Sequence, residues 1–232
     1  MTAPPTLGIL MLDTRFPRPL GDGGNPASYP FPVRIRRVPG ASAARAVRGD
    51  PMALADLFAG EARALADEGC AAITTTCGFL APLQHALSDA VPVPVLVSAL
   101  LGVRPLAEAG RHVGILTIAA SSLTPAHLAA ADVPHATPIG TLEGGSFAAS
   151  ILGDEATLDT DAARAEHVTA ANALCRAHPA LTDIVLECAN MPPYAAAIEA
   201  ATGRHVHTIV DMASAMLRRA AYPPSPSAAL IR

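Results

Sequence analysis

The sequence of 232 residues contains no lysine, so all 16 of its basic residues are arginine. A pyridoxal-phosphate enzyme needs a lysine for its Schiff base, and a Walker A loop needs one to bind phosphate. The absence of lysine therefore argues against both classes of protein.

Other residue types and features are also scarce. Aromatic residues make up 3% of the chain and hydrophobic residues 51%, so a core large enough for independent folding must consist mainly of Ala, Val, Leu and Ile. A formal net charge of −4 gives no reason to expect nucleic acid or a membrane surface as partner. The N-terminus lacks a basic leader, and the most apolar run, 91–103, is short and holds two prolines. We expect a cytoplasmic protein with a small-molecule substrate and leave a homo-oligomer open.

The chain has four cysteines, and none of them has CxxC or zinc-ribbon spacing: Cys70, Cys77, Cys175 and Cys188. In a reducing compartment these should be free thiols. His205 and His207 are two apart on a predicted strand and could share a metal, but spacing suggests no third ligand. No metal site is predicted.

Short apolar segments bounded by turn residues predict six buried parallel strands, at 7–12, 71–77, 93–98, 112–118, 183–189 and 205–210. Weaker strand candidates lie at 31–38 and 135–141. Alanine-rich segments with helical spacing separate them, most clearly at 51–69, 160–178 and 193–203. Strands that alternate with helices predict an α/β fold with parallel sheets.

The predicted strands repeat along the chain in the same order. Ile9 and Ile115 are 106 residues apart, Cys77 and Cys188 are 111 apart, and "VPVLVS" aligns with "VHTIVD" at 113. This nearly constant offset predicts two pseudo-symmetric lobes, Rossmann-like or flavodoxin-like, with an active site between them. Residues 1–100 and 211–232 would form the N-terminal lobe and residues 101–210 the C-terminal lobe.

Cys77 and Cys188 each follow a predicted strand and precede a predicted helix. Ligands bind beyond the carboxyl ends of parallel strands, so facing lobes would point both thiols into one cleft. Helix N-termini favour a thiolate and would tune the thiol pKa for acid–base work. One thiolate could then remove a proton from a carbon while the opposing thiol delivers one to its other face, which inverts a stereocentre.

The segments "GILMLDTRFPRPLGDGGNP", "TTTCGFL" and "LECANMPPY" resemble the aspartate/glutamate/hydantoin racemase superfamily. The resemblance implies two pseudo-symmetric α/β lobes, catalysis without a cofactor, and Cys77 and Cys188 as the acid–base pair. It also places Asp13 beside the Cys77 side of the cleft. The predicted substrate-binding residues are Asp13, Thr75, Thr76, Gly78, Thr117, Ala189 and Asn190.

The sequence departs from the superfamily's glutamate racemases, because Asn-Thr does not follow the first cysteine and Thr-His does not follow the second. The resemblance therefore implies a racemase or epimerase of a small carboxylate-bearing or amino-acid-like substrate. Alternatives on the same fold are a maleate-type cis–trans isomerase and an arylmalonate-type decarboxylase. Outside enzymes, a two-lobed small-molecule binding protein is the rival. A redox thiol switch would need a Cys77–Cys188 disulfide, and thiols with room for a substrate between them would be too far apart for that bond.

Other residues receive weaker interpretations. Adjacent side chains of a strand point to opposite faces, so Glu187 is not expected to contact the neighbouring thiol. The Pro- and Gly-rich loop 15–32 is either a structured surface loop or a lid, with Arg15 or Arg18 reaching a carboxylate. Cys70 and Cys175 are interpreted as structural, and the tail 222–232 as a frayed end.

Overall fold

The computed structural model describes residues 4–222 and contains two four-stranded parallel sheets. The strands of the first sheet are β1 (Leu7–Leu12), β2 (Val33–Val38), β3 (Ala72–Thr75) and β4 (Val95–Leu96). Those of the second sheet are β5 (Val113–Thr117), β6 (Ile139–Thr141), β7 (Asp183–Leu186) and β8 (His205–His207). All eight strands coincide with predicted segments, including the two weaker candidates.

Helices connect the strands and cover the sheets. The α-helices are α1 (Ala43–Arg48), α2 (Ala55–Asp67), α3 (Gln84–Ala90), α4 (Val103–Glu108), α5 (Pro125–Ala130), α6 (Ser146–Leu152), α7 (Thr160–Ala177), α8 (Ala195–Thr202) and α9 (Ile209–Ala221). Short 3₁₀ helices occur at Pro26–Ser28, Pro51–Leu54, Gly78–Leu83, Ala99–Gly102, Ala120–Ser122 and Pro192–Tyr194. The three predicted helices correspond to Pro51–Leu54 with α2, to α7, and to Pro192–Tyr194 with α8.

The two sheets have the same topology. The strand order is β2-β1-β3-β4 in the first and β6-β5-β7-β8 in the second. The central strand pairs also match, because Ile9 lies opposite Thr74 and Ile115 lies opposite Val185. The repeat read from the sequence is therefore a structural repeat, and the prediction of two pseudo-symmetric α/β lobes with parallel sheets is confirmed.

Several strands are shorter at their carboxyl ends than predicted. β3 ends at Thr75 and β7 at Leu186, so both site cysteines stand in the loops beyond the strands. The prediction of a single strand over residues 205–210 was wrong, because β8 ends at His207 and α9 begins at Ile209. Thr208 causes the change, since its side chain caps the helix by accepting a hydrogen bond from Asp211 N.

The last helix returns to the first lobe. Ala213 and Leu217 of α9 form a buried cluster with Leu7, Ile9 and Ala72 of the first sheet. The predicted division into residues 1–100 with 211–232 and residues 101–210 stays a prediction. The predicted frayed tail lies outside the described residues from 223 onwards.

Aliphatic and small side chains make up most of the core, as the low aromatic content requires. Strands β1, β3, β5 and β7 are buried along their whole length. Such continuous burial is expected of the central strands of a parallel sheet covered by helices on both faces. Within residues 4–222, no helix is long and apolar enough to cross a membrane.

Replacing Phe58 on α2 with alanine should lower the free energy of unfolding by about 3–5 kcal/mol. The Phe58 ring is fully buried against the first sheet, so its loss leaves a cavity. The neighbouring Leu57 is 43% exposed, and Leu57→Ala serves as the control with an expected cost of about 1 kcal/mol or less. Urea denaturation of both variants measures the difference. Equal losses would contradict the packing of α2.

Candidate active site

Cys77 stands between the end of β3 and the 3₁₀ helix Gly78–Leu83. Thr75 fixes this junction, because its Oγ1 donates to Val97 O at 2.7 Å and accepts from Cys77 N at 3.3 Å. The backbone N–H groups of Phe79 and Leu80 face the Cys77 sulfur. The strand-to-helix turn thus presents the thiol at the carboxyl edge of the first sheet.

Cys188 occupies the equivalent position two residues beyond the end of β7. Its Sγ donates to Asn190 Oδ1 at 3.5 Å, and Asn190 Nδ2 donates to Asp22 Oδ2 at 2.7 Å. Asn190 therefore links the second thiol to a buried carboxylate of the loop that follows β1. In this arrangement the amide nitrogen of Asn190 binds Asp22. The expected role of Asn190 in binding the substrate stays a prediction.

The two thiols lie near each other in a closed site. Cys77 and Cys188 are 6% and 5% exposed, and Cys77 contributes to the raised pKa of Cys188. All four cysteines of the chain are free thiols. The structure thus brings together the two cysteines that the sequence paired, one from each lobe. Their catalytic role stays a prediction at this point.

Glu187 is a residue of the site that the sequence interpretation set aside. Its carboxyl is 1% exposed and lies against the Gly78 backbone, where a Cβ atom would stand 2.2 Å from both Glu187 O and Glu187 Oε1. A negative charge on Glu187 would raise the pKa of both Cys77 and Cys188. β7 has already ended at Leu186, so strand alternation no longer governs Glu187 and Cys188. The Cys188 thiol donates to Asn190 and the Glu187 carboxyl accepts from Thr117, so the expectation that Glu187 does not contact this thiol directly stays a prediction.

The expected lowering of the thiol pKa does not occur in this closed arrangement. Burial raises the pKa of Cys77 to about 12, with Glu187 acting in the same direction. Burial also raises the pKa of Cys188. The N–H groups of Phe79 and Leu80 and the charge of Arg18 do lower the Cys77 pKa, but desolvation outweighs them. Both residues are therefore neutral thiols near pH 7.

The loop that follows β1 closes the site from the first lobe. Gly23 N donates to Ala189 O at 2.8 Å, directly beside Cys188. Arg15 reaches the second lobe, where its backbone N donates to Asp154 Oδ1 at 2.5 Å and its Nε forms an ion pair with Oδ2 at 3.1 Å. These contacts place the loop across both lobes, as a lid would lie. Its opening and closing stay a prediction.

Arg18 and Asp22 form a buried ion pair within this loop. Arg18 Nη1 and Asp22 Oδ1 are 2.9 Å apart, and Arg18 Nη2 donates to Thr14 Oγ1 at 3.0 Å. The Arg18 guanidinium lies over the Phe16 ring, 4.7 Å from its centre. Of the two arginines considered for the site, Arg18 therefore lies near Cys77, whereas the Arg15 side chain is 78% exposed.

The remaining predicted residues occupy different environments. Asp13 is exposed, and its Oδ2 accepts a long bond of 3.5 Å from Gly40 N, so the structure does not bring it to the thiols. The side chain after it, Thr14, is the one that turns inward. Thr76 is buried and its Oγ1 accepts from Leu12 N at 3.1 Å. Thr117 Oγ1 donates to Glu187 Oε2 at 2.8 Å, which places Thr117 in the site.

Residues given a structural interpretation lie away from the thiol pair. Cys70 is buried just before β3, and Cys175 lies in α7. His207 Nε2 contacts Asp183 Oδ1 at 2.7 Å, while His205 is exposed. Between residues 4 and 222 no three His, Cys, Asp or Glu side chains cluster in a way that could hold a metal ion.

Fold and site together define a two-lobed α/β protein that buries one cysteine from each lobe at a shared carboxyl edge. Arylmalonate decarboxylase and aspartate and glutamate racemases share this fold, so the fold that the sequence resemblance implied is confirmed. No family model matches the chain.

Solved structures with this fold include enzymes of different reaction types. An unliganded arylmalonate decarboxylase superposes with a TM-score of 0.63 at 18% identity, covering 95% of this chain and 94% of its own. The Picrophilus torridus aspartate racemase gives 0.60 at 15% identity and covers 94% of both chains. A Bacillus anthracis glutamate racemase gives 0.58 at 15% identity, covering 94% of this chain and 80% of its own.

The curated relatives carry another enzyme name. Dimethylsulfoniopropionate lyases 7 and 6 of Emiliania huxleyi (strain CCMP1516) are 27% and 28% identical over 227 residues, or 92% of this chain. The chain spans 66% and 59% of their lengths. A dimethylsulfoniopropionate lyase of Durusdinium sp. clade D is 27% identical, covering 92% of this chain and 74% of its own. The names of these relatives support the prediction that the chain is an enzyme, but they do not confirm that it is an isomerase.

Gly78→Ala should reduce activity by about 10²-fold or more, because the added Cβ would stand 2.2 Å from the Glu187 backbone oxygen and carboxyl. The matched control is Gly60→Ala in α2, where nothing lies within 4 Å of the new Cβ. That variant should keep its activity and gain about 0.5–1 kcal/mol of stability. Steady-state kinetics and thermal unfolding measure both effects. An active Gly78→Ala variant would contradict the tight contact between the lobes.

Glu187→Gln should become more stable relative to the wild type as pH rises from about 5 to about 8. Burial raises the pKa of Glu187 to about 8, so the unfolded chain loses this proton at lower pH than the folded one. The wild type therefore loses about 1.4 kcal/mol of unfolding free energy per pH unit within this window, and the glutamine variant does not. Chemical denaturation across pH measures the difference, with the exposed Glu108→Gln as control. Parallel pH curves for Glu187→Gln and the wild type would refute a neutral buried carboxyl.

Proposed function

We propose that this chain is an enzyme that removes a proton from the carbon next to a carboxylate, with Cys77 and Cys188 as the proton-transferring groups. The observation that carries the proposal is the burial of one thiol from each lobe, at equivalent junctions, within a shared closed site. Exclusion of water strengthens the electrostatic interactions inside such a site and protects a carbanionic intermediate.

The proposed step balances without a cofactor. A thiolate takes the proton from the α-carbon and becomes a thiol, while the electron pair of the broken C–H bond moves into the carboxylate to give an enediolate. Both cysteines are neutral in the closed site, so the attacking thiol must first release its proton to solvent. The charge of Arg18 already lowers the Cys77 pKa. A positively charged substrate would act in the same direction.

We further propose that the enediolate collapses by β-elimination of a sulfonium group, as in a dimethylsulfoniopropionate lyase. The proposal is supported by relatives of that name that match 92% of the chain at 27–28% identity. The electron pair then forms the C=C bond, the C–S bond breaks, and dimethyl sulfide and acrylate leave. The abstracted proton regenerates the neutral thiol, so the one proton released overall is the proton that this thiol lost to solvent at the start. The sulfonium also supplies the positive charge that favours the thiolate.

Racemisation is the second candidate, and the matching second thiol favours it. Cys188 lies across the site from the Cys77 junction, on the other lobe. On a substrate with a stereocentre and no leaving group, the second thiol could return a proton to the opposite face of the enediolate. Decarboxylation and cis–trans isomerisation, the other reactions expected on this fold, would appear as different products in the same assay.

Proton NMR in deuterated water tests the proposal. Dimethylsulfoniopropionate should yield dimethyl sulfide and acrylate, and Cys77→Ser and Cys188→Ser should each lower the rate by about 10²–10⁴-fold, the usual contribution of a general acid or base. Cys175→Ser in α7 is the matched control and should react like the wild type. The same spectra, recorded with chiral amino acids, hydantoins and small diacids, report α-proton exchange with inversion.

The products separate the candidates. Exchange with inversion and no elimination would replace the lyase by a racemase and keep the two-thiol mechanism. Full activity of both single cysteine variants would refute the mechanism itself. Tight binding of a substrate without any proton exchange would favour a two-lobed binding protein.

A further inference from the structure

The Glu187 carboxyl is a buried titratable group to which the thiol mechanism gives no role. Thr117 Oγ1 donates a hydrogen bond to Glu187 Oε2 at 2.8 Å. Glu187 Oε1 has no hydrogen-bond partner among residues 4–222. A buried polar atom without a partner is costly, and in a candidate active site it indicates a group that a ligand satisfies.

The hydrogen bonds around Glu187 are compatible with a proton on Oε1. Thr117 Oγ1 accepts from Ala119 N at 3.4 Å, so its own proton is free to be donated to Oε2. Oε2 is therefore the acceptor of the pair. In the neutral carboxylic acid the proton then lies on Oε1, the oxygen without a partner. Desolvation favours this neutral form at pH 7, because it raises the pKa of Glu187 to about 8.

The position of Oε1 is at the meeting point of the two lobes. It lies against the Gly78 backbone, one residue from Cys77, and its parent residue directly precedes Cys188. The titratable groups that face Glu187 are these two thiols. The nearby charges of Arg18 and Asp22 are paired with each other. A substrate whose α-carbon lies between the thiols would hold its carboxylate within reach of this edge.

We propose that Glu187 is a catalytic residue that acts as a neutral acid and donates a hydrogen bond from Oε1 to the carboxylate of the substrate. The inference rests on the proposed α-proton abstraction and deepens it. Negative charge grows on the substrate carboxylate as the enediolate forms, and a preorganised donor in a dry site stabilises that charge. The Glu187 proton stays on Oε1 throughout, so no atom is transferred. Thr117 is the positioning residue that keeps Oε1 turned toward the substrate.

A neutral donor suits this site better than a carboxylate would. An ionised Glu187 would repel both a thiolate and the substrate carboxylate, and it would raise the pKa of both thiols further. A neutral acid provides the hydrogen bond without that repulsion. The buried carboxylic acid that is kept protonated to donate into an oxyanion site is a known device of enzymes that form enolates.

The test compares Glu187→Gln with Glu187→Met. The glutamine amide can accept from Thr117 and donate where Oε1 donates, whereas methionine has similar size and no donor. With dimethylsulfoniopropionate, or the substrate found by proton exchange, Gln should retain activity within about tenfold of the wild type, and Met should lose about 10²–10³-fold. Thermal unfolding confirms that both variants are folded. A glutamine variant as inactive as the methionine variant would overturn the neutral donor and assign Glu187 a carboxylate role.

Two further measurements distinguish a failure of the role inferred for Glu187 from a failure of the proposed reaction. The wild-type rate should rise with pH as the thiolate fraction grows and then level off above about 8, where Glu187 ionises, whereas the rate of Glu187→Gln should keep rising. Propionate, a carboxylate without a leaving group, should bind Glu187→Gln as it binds the wild type and Glu187→Met about tenfold more weakly. An inactive wild type with this binding pattern would refute the proposed reaction and keep Glu187 as the carboxylate donor. Equal propionate affinity in all three proteins would overturn the inference.

Discussion

Burial of three titratable side chains at one point is the constraint around which the two lobes are arranged. Cys77, Glu187 and Cys188 are each at most 6% exposed, and all have a pKa raised by desolvation. Without a charged partner to offset desolvation, such groups stay neutral inside a protein. Gly78 makes the arrangement possible, because any larger residue would collide with the Glu187 backbone. The contact that closes the lobes is thus also the contact that sets the charge state of the site.

The loop after β1 completes this enclosure. Its Arg18–Asp22 ion pair is buried, and Asp22 also accepts from Asn190, which in turn contacts the Cys188 thiol. Removing one partner of a buried charge pair strongly destabilises a protein, because the other charge is left without compensation. The loop is therefore held in one arrangement next to the thiols. In the proposed mechanism the same arrangement excludes water and presents the positive end of the pair to Cys77.

The reaction proposed for this chain rests on the chemistry shared by its relatives. A racemase, a decarboxylase and a sulfonium lyase can all form negative charge on the carbon next to a carboxylate. In the proposed mechanism the two thiols would perform that step, and the groups around them would decide whether the enediolate is protonated or loses a leaving group. Of the five residues that would act in the proposed mechanism, the sequence pointed to Cys77, Cys188, Arg18 and Thr117, and only the structure pointed to Glu187.

The sequence by itself determined the two-lobed α/β architecture, because apolar strands, alanine-rich helices and their repeat at a nearly constant offset are local patterns. It also determined the pairing of Cys77 with Cys188, since each cysteine follows the equivalent strand of its lobe. Tertiary structure decided the rest. Whether Asp13 or Thr14 turns inward depends on where β1 ends. Glu187 lies near the thiols because β7 ends at Leu186, the residue directly before it. The direction of the thiol pKa depends on desolvation, which arises from packing between lobes and is not encoded in any one segment.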